Sequence, residues 1–257
     1  MRLENLIATV RDAGRKAMEI YDLNIDVAYK ADHSPVTEAD IAVDELVIPA
    51  LEAAFPEIPI ISEERSHNHS LAECPDRFFL VDPIDGTKEF IKKTGEFTIN
   101  VGLIENGVPI AGIVYAPALG RLFIADTDGS CYELDENDQR KDLRVRDCPD
   151  DSAVIAVASR SHNTPETQDF LDKNKISECV SAGSSLKFCV LAAGEADIYP
   201  RFGPTMEWDT AAGHAVLSGA GGQVVNIDGS PFKYGKPDFR NPNFIACSPH
   251  AFKRCLS

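Results

Sequence analysis

Apolar positions recur along this chain in two rhythms, one helical and one extended. Leu3, Leu6, Ile7, Val10, Ala13, Ala17 and Tyr21 return at helical spacing, so the chain opens with an amphipathic helix. Ser34-Pro35-Val36 breaks that pattern. Thr37 and Asp40 then stand at capping-box spacing before a second helical run of Ile41, Leu46, Val47, Ala50, Leu51 and Ala54. Pro49 falls inside this run and must kink or split it. From Ile58 the rhythm changes. Ile58 to Ile61 and Phe78 to Val81 are short apolar runs that end in acids, at Glu63-Glu64 and at Asp82, and both read as buried strands. Pro83 cannot sit in a central ladder, so the second of these strands is expected to stop at Asp82. Thr98–Ile104 and Val108–Tyr115 flank Asn106-Gly107, a strong hairpin signal. Leu122–Ala125 and Cys131–Leu134, on either side of Asp126–Ser130, extend the meander.

Residues 135 to 151 are charged and poor in large apolar side chains, which places a boundary between a first lobe, 1–150, and a second, 151–257. In the second lobe Val154–Ala158 reads as a strand, and Thr164 to Lys173 as a surface helix capped by Thr164-Pro165. The small-residue loop Ser181–Ser185 leads into an apolar helix, Leu186–Ala193. Trp208–Leu217 is a further helix that ends at Gly219–Gly222, and Val224-Val225 and Phe244–Cys247 read as strands. The expected class is α/β, with an α+β first lobe and an α/β second lobe.

The 257 residues, 44% of them apolar, suffice for one large domain or two lobes with a real core. No stretch approaches the roughly 18 apolar residues of a membrane span. Glu4, Arg11, Asp12, Arg15 and Lys16 interrupt the opening segment, so it is not a signal peptide. A net charge of -16 argues against nucleic-acid binding. The same sign suits a phosphorylated ligand only if carboxylates hold divalent cations, whose charge then dominates the local field. Seven cysteines, odd in number and without a C-x-x-C pair, read as reduced thiols of a cytosolic protein. The expectation is a cytoplasmic monomer or homodimer with no integral membrane contact; peripheral association with the inner membrane stays open.

Chemistry concentrates at Asp82-Pro83-Ile84-Asp85-Gly86-Thr87, directly after an apolar strand. Two carboxylates three residues apart at a strand end suit Mg²⁺, which takes oxygen ligands and often only a few carboxylates. Gly86 permits a tight turn. A helical turn starting at Gly86-Thr87 would aim free N–H groups at an anion. A solvated, aspartate-rich turn is the plainer alternative. Glu63-Glu64 ends the preceding strand, and strand C-termini are where α/β proteins place ligands. Asp209, in Trp208-Asp209-Thr210-Ala211-Ala212-Gly213, is either a helix N-cap or a ligand; Trp208 reads as core. A zinc cluster of His67, His69 and Cys74 lacks a fourth ligand. Ser184-Ser185 and Ser159–His162 lack the G-x-S-x-G elbow of a serine hydrolase.

Glu63-Glu64, Asp82–Thr87 and Trp208-Asp209-x-x-Ala212-Gly213, in this order and spacing, resemble the inositol monophosphatase superfamily across nearly the whole chain. Lys30-Ala31-Asp32, Ser34-Pro35-Val36-Thr37-x-x-Asp40, Asp85–Phe90, Gly183–Phe188 and Tyr199–Thr205 look most similar to its bisphosphate nucleotidase branch. The resemblance implies a layered αβαβα sandwich of the inositol monophosphatase/fructose-1,6-bisphosphatase type. It also implies two or three Mg²⁺ ions held by Glu63, Asp82, Asp85, Asp209 and the backbone carbonyl of Ile84. Thr87 and Glu64 would orient or activate the attacking water, with Asp40 supporting Thr87. Around the substrate it places Glu63, Ile84, Asp85, Gly86, Thr87 and Asp209.

Substrate choice points to Gly183, Ser184, Ser185, Lys187 and Arg201. Small residues let backbone N–H groups approach a ligand, and Lys187 and Arg201 could bind a second phosphate. Inositol-specific relatives typically carry an acid where this chain has Arg201. The reaction implied is removal of the 3′-phosphate of adenosine 3′,5′-bisphosphate, giving AMP and phosphate, within sulfur metabolism and with sensitivity to Li⁺. The alternatives are an inositol-1-phosphate or sugar bisphosphate phosphatase, and more remotely a non-catalytic binder of phosphorylated nucleotides.

Overall fold

The computed structural model describes residues 2–23, 28–29, 35–68, 74–147, 152–158 and 164–256. The Lys30-Ala31-Asp32 and Ser34 parts of the family motif, His69, Cys148 and Ser159–His162 lie outside the described residues, as does the side chain of His67.

A 3₁₀ turn at Leu3–Leu6 leads into α1, Ile7–Tyr21. The two-residue strands β1, Ala28–Tyr29, and β2, Pro35–Val36, pair with each other. They precede α2, Glu38–Ala54. Then come β3, Ile60–Ser62, and β4, Arg77–Asp85. The short α3, Thr87–Ile91, follows. Five more strands continue the chain: β5, Thr98–Glu105; β6, Val108–Ala116; β7, Arg121–Ala125; β8, Cys131–Leu134; and β9, Arg140–Asp142. They make a seven-stranded sheet ordered β3-β4-β5-β6-β7-β8-β9. The second half supplies β10, Ile155–Ala158; α4, Pro165–Lys173; β11, Glu178–Ser181; α5, Leu186–Ala192; and β12, Ile198–Arg201. It ends with α6, Ala211–Gly219; β13, Gln223–Asn226; β14, Phe244–Cys247; and α7, Pro249–Cys255. Its five strands form a mixed sheet ordered β11-β10-β12-β14-β13.

Strand alternation sorts the core into layers, because successive side chains leave opposite faces of a sheet. Phe79 and Val81 of β4, Ile99 and Val101 of β5 and Ile113 of β6 pack against α1 and α2. Phe78, Leu80 and Val114 face the other way and share a core with α5, α6 and the residues Val157, Phe244 and Ala246 of the second sheet. The remaining face of that sheet, Ala156, Ile198 and Ile245, packs on Leu171 of α4 and Ala251 of α7. The order helix, sheet, helix, sheet, helix is the expected αβαβα sandwich. α6 sits close on the first sheet because Gly102 and Gly112 are cross-strand partners. A Cβ at either would come within 2.7 Å of Ala211 or Ala212.

The structure corrects the sequence reading at β4 and α6, decides it at Pro49 and adds β9 to it. β4 does not stop at Asp82: it runs to Asp85, and its register against β5 shifts between Asp82 and Asp85. Pro83 lies inside that irregularity, where no ladder donor is required. Pro49 does not split α2, which runs unbroken from Glu38 to Ala54, with Thr37 and Asp40 forming the capping box. α6 begins three residues later than expected, so Asp209 is not its N-cap; Thr210 is. β9 joins the first sheet from within residues 135–151. Among the described residues no helix is long and apolar enough to cross a membrane.

Candidate active site

Asp82 and Asp85 owe their positions to the irregular end of β4. The strand carries both into the space between the sheets, and Gly86, at φ +90, turns the chain into α3. A Cβ there would stand 3.3 Å from the carbonyl of residue 96 and 3.4 Å from Ser184, so glycine also lets the two halves of the chain close up. Burial drives the Asp82 carboxyl well above its ordinary range, and the charges of Glu63, Asp85, Asp209 and Asp40 drive it further. Its Oδ1 is buried and has no hydrogen-bond partner among the described residues. Asp85 is also raised by burial, against the opposing pull of a hydrogen bond from Ser184 and the charge of Lys187. Ser185 N–H donates to Asp85 Oδ2 at 2.6 Å, and Ser184 Oγ donates to the Asp85 carbonyl at 2.9 Å.

The remaining acids come from three separate elements. Glu63 and Glu64 open the 3₁₀ turn Glu63–Asn68 after β3, and both are half-buried. Asp44 of α2 grips that turn from both flanks: Ser62 Oγ donates to it at 2.5 Å and Arg65 Nε at 2.6 Å. Asp209 accepts from Met206 N–H at 2.8 Å. Burial raises it well above the usual range, followed by Asp85 and Glu63, with Arg201 opposing. Asp40 is raised to about 7, mainly by burial, with Glu64 and Glu63 adding to it. Among the described residues no three acidic, histidine or cysteine side chains already form a closed metal cage. The carboxylates nonetheless sense one another, and the orphaned Asp82 oxygen calls for a cation that the described side chains do not supply.

A cleft of about 220 Å³ opens on this group, lined by Glu63, Asp85, Gly86, Thr87, Ser184, Lys187, Arg201 and Asp209 among others. Two of the cations that line it, Lys187 and Arg201, behave differently. Lys187 is buried, its Nζ donating to the Ser184 carbonyl at 2.6 Å and lying 5.3 Å over the Tyr199 ring. Burial lowers its pKa to about 8, with Asp85 resisting. Arg201 donates from Nη2 to the Pro204 carbonyl at 3.1 Å, and its buried Nε has no partner among the described residues.

The structure therefore gathers the predicted residues unevenly. Asp82 lies behind the cleft wall rather than in it. Thr87 Oγ1 donates to the Ile84 carbonyl at 3.3 Å, so the two residues meet as expected. Asp40 takes its hydrogen bonds from Thr37, not from Thr87, because the capping box claims its carboxylate. Gly183 packs against Glu96, where a Cβ would come 2.6 Å from a carbonyl; its smallness serves packing rather than ligand approach. Ser184 and Ser185 hold Asp85, and Lys187 holds their loop. Sequence reasoning gave no site role to Glu89, Tyr199, Thr205 and Thr210 of the lining, although each stands in a motif it quoted. It also passed over Glu207, a fully buried carboxylate that accepts from the N–H groups of Gly235 and Lys236 next to the Trp208-Asp209 turn. Thr98 and Asn100 did leave a signal: two polar residues on one face of an otherwise apolar strand.

Residues 2–256 match the model of the inositol monophosphatase family. The chain is 44% identical over 245 residues to the 3′(2′),5′-bisphosphate nucleotidase CysQ of Escherichia coli, covering 94% of this chain and 98% of that protein. Against the CysQ of Buchnera aphidicola it is 42% identical over 249 residues, 95% of this chain and 92% of the relative. The crystal structure of CysQ from Bacteroides thetaiotaomicron superposes with a TM-score of 0.78 at 37% identity, covering 95% of this chain and 97% of that one. An IMPase from Thermotoga maritima superposes with a TM-score of 0.80 at 25% identity, covering 98% and 93%.

Proposed function

The chain belongs to the inositol monophosphatase family, and on that premise we propose that it is a 3′(2′),5′-bisphosphate nucleotidase that removes the 3′-phosphate of adenosine 3′,5′-bisphosphate. The observation that carries the metal dependence is Asp82: a fully buried carboxylate, crowded by Glu63, Asp85 and Asp209, with one oxygen that nothing among the described residues satisfies. An isolated buried carboxylate either neutralises or takes a cation. Carboxylate oxygens with the Ile84 carbonyl are a hard donor set that suits Mg²⁺.

Glu63, Asp82, Asp85, Asp209 and the Ile84 carbonyl would hold the ions, two or three in number. Bound there, Mg²⁺ supplies charge neutralisation of the phosphoryl group and easier ionisation of the attacking water. The chain's own residues do the rest. Thr87 sits at the start of α3 with its hydroxyl toward Ile84, placed to orient water in the cleft. Glu64 stands beside Glu63 as the acceptor of that water's proton. Asp209 fixes the far wall, held in turn by Met206 N–H. Arg201, with donor capacity left at the cleft, takes the second phosphate through its planar fork. Lys187 contributes positive charge near Asp85 and builds the loop beneath it.

The test is phosphate release from adenosine 3′,5′-bisphosphate and inositol 1-phosphate, side by side, with Mg²⁺ and then with added Li⁺. The nucleotide should be strongly preferred, and Li⁺ should inhibit. Preference for inositol 1-phosphate would overturn the substrate and keep the metal site. Release from neither would favour a non-catalytic binder of phosphorylated nucleotides.

A further inference from the structure

Beneath the cleft four polar side chains, three of them buried and Ser184 half-buried, stand in an unresolved hydrogen-bond conflict. Thr98 and Asn100 of β5 stand directly across the ladder from Asp85 and Asp82. Both are 0% exposed in a strand otherwise packed with apolar residues. Thr98 Oγ1 lies 2.6 Å from Ser184 Oγ and 2.9 Å from Ser185 Oγ. Ser184 Oγ donates onward to the Asp85 carbonyl at 2.9 Å. Ser185 Oγ faces Asn100 Oδ1 at 2.6 Å, while Asn100 Nδ2 is buried with no partner among the described residues.

Each hydroxyl carries one proton. With Ser184 donating to Asp85 and Ser185 to Asn100 Oδ1, Thr98 has one proton for two neighbouring hydroxyls. One of its two short contacts would then set lone pair against lone pair. Turning the Asn100 amide over removes the conflict, and the two ends of an amide are told apart by the partners they find. Asn100 Nδ2 then donates to Ser185, Ser185 to Thr98, Thr98 to Ser184, and Ser184 to the Asp85 carbonyl. Every contact carries one proton and the chain runs in one direction. The turn also replaces an orphaned donor by an under-used carbonyl oxygen, the more readily tolerated of the two among backbone groups. A separate observation points to the same loop. Ser184 sits at φ +52, a conformation uncommon for residues other than glycine. Such strain persists where surrounding contacts over-determine it. Here the contacts are those to Thr98 and Asp85 and the one from Lys187 Nζ to the Ser184 carbonyl.

We propose that Thr98 and Asn100 are positioning residues for Asp85, acting through this one-way chain from β5 to the loop before α5. The inference rests on the reading of Asp85 as a metal ligand. Groups that orient metal ligands typically change metal affinity or activity by roughly 10–100-fold when removed. The measurement is Mn²⁺ binding to the whole protein without substrate, by electron paramagnetic resonance, for wild type, Thr98→Val and Thr98→Ser. Thr98→Val should bind Mn²⁺ about 10-fold more weakly. The Mg²⁺ concentration for half-maximal activity should rise in step, while KM for the nucleotide at saturating Mg²⁺ stays unchanged. Thr98→Ser, which keeps the hydroxyl, should restore affinity. Neutron diffraction of the deuterated wild type should show the Asn100 amide deuterons pointing at Ser185, and this decides the direction even where Thr98→Val does not fold. A folded Thr98→Val with wild-type Mn²⁺ affinity, or amide deuterons turned away from Ser185, overturns the chain alone. A wild type that binds no Mn²⁺ overturns Asp85 as a ligand, and the functional reading with it.

Discussion

The end of β4 and the end of β12 face each other across one cleft, yet they meet opposite electrostatic problems. At β4 the fold crowds Asp82 and Asp85 against Glu63 and Asp209, and burial raises the aspartates above their ordinary range. Nothing among the described residues repairs this fully: Lys187 and Arg201 oppose the shifts of Asp85 and Asp209 without cancelling them. At β12 the protein presents a cation, Arg201, with a buried donor that has no partner among the described residues. Among the described residues one wall is short of positive charge and the other keeps a buried donor without a partner. On the proposed function, divalent cations and a phosphorylated ligand would satisfy both. The difference teaches that burial and mutual repulsion strain the acidic wall, whereas the basic wall keeps a donor in reserve.

The sharpest way to break that contrast is Asp82→Asn. Activity should fall by more than about 100-fold, beyond the range typical of groups that only orient metal ligands. The metal-free protein should at the same time melt higher, since a neutral amide no longer repels Glu63, Asp85 and Asp209. Phosphate release and a thermal melt in chelator check both halves; a lower melting point would mean that the acids are not in conflict. Arg201→Met should act on the other wall alone. Loss of a charge-assisted hydrogen bond of about 1.5–3 kcal/mol corresponds to roughly a 10- to 100-fold rise in KM for the bisphosphate. Turnover of inositol 1-phosphate should hardly change. Steady-state kinetics on both substrates separate these effects.

Stability against pH sharpens the comparison further. Asp40 has a folded-state pKa raised from 3.8 to about 7. The folded state therefore binds the extra proton between those values, and this contribution is present below pH 3.8 and lost as pH climbs to about 7. Saturating Mg²⁺ should oppose that decline by stabilising the charged forms of the neighbouring acids. His214 of α6, buried and lowered from 6.5 to about 3, has the opposite sign. Its contribution is present above pH 6.5 and lost as pH falls toward 3. Denaturant titrations of the metal-free protein should show a weaker high-pH decline in Asp40→Asn and a weaker low-pH decline in His214→Gln. The smallest kinetic effect is expected from Lys187→Met. Its ammonium holds the Ser184 carbonyl, so KM should move far less than in Arg201→Met while the melting temperature drops. A KM change as large as that of Arg201→Met would return Lys187 to the substrate.

Much of this was legible in the residues themselves. Thr37 and Asp40 announced the start of α2, Asn106-Gly107 announced the β5–β6 turn, and the three acidic motifs, taken together, announced the family. Local chemistry suffices there, because capping, turn type and motif spacing act within a few residues. Pro83 misled because a proline that ends an ordinary strand is tolerated at a register break, and only pairing with β5 shows where that break lies.

What the sequence determined by itself was α1, α2, the β5–β8 meander, the charge and the family. Only the tertiary structure decided which groups the candidate ligands meet. Asp40 is claimed by Thr37, Lys187 by the Ser184 carbonyl, Gly183 by Glu96, and Asp85 by Ser184 and Ser185 from about a hundred positions away. The reason is physical: burial, hydrogen-bond partners and the field of neighbouring charges depend on distance in space, and a linear chain encodes spacing only within an element.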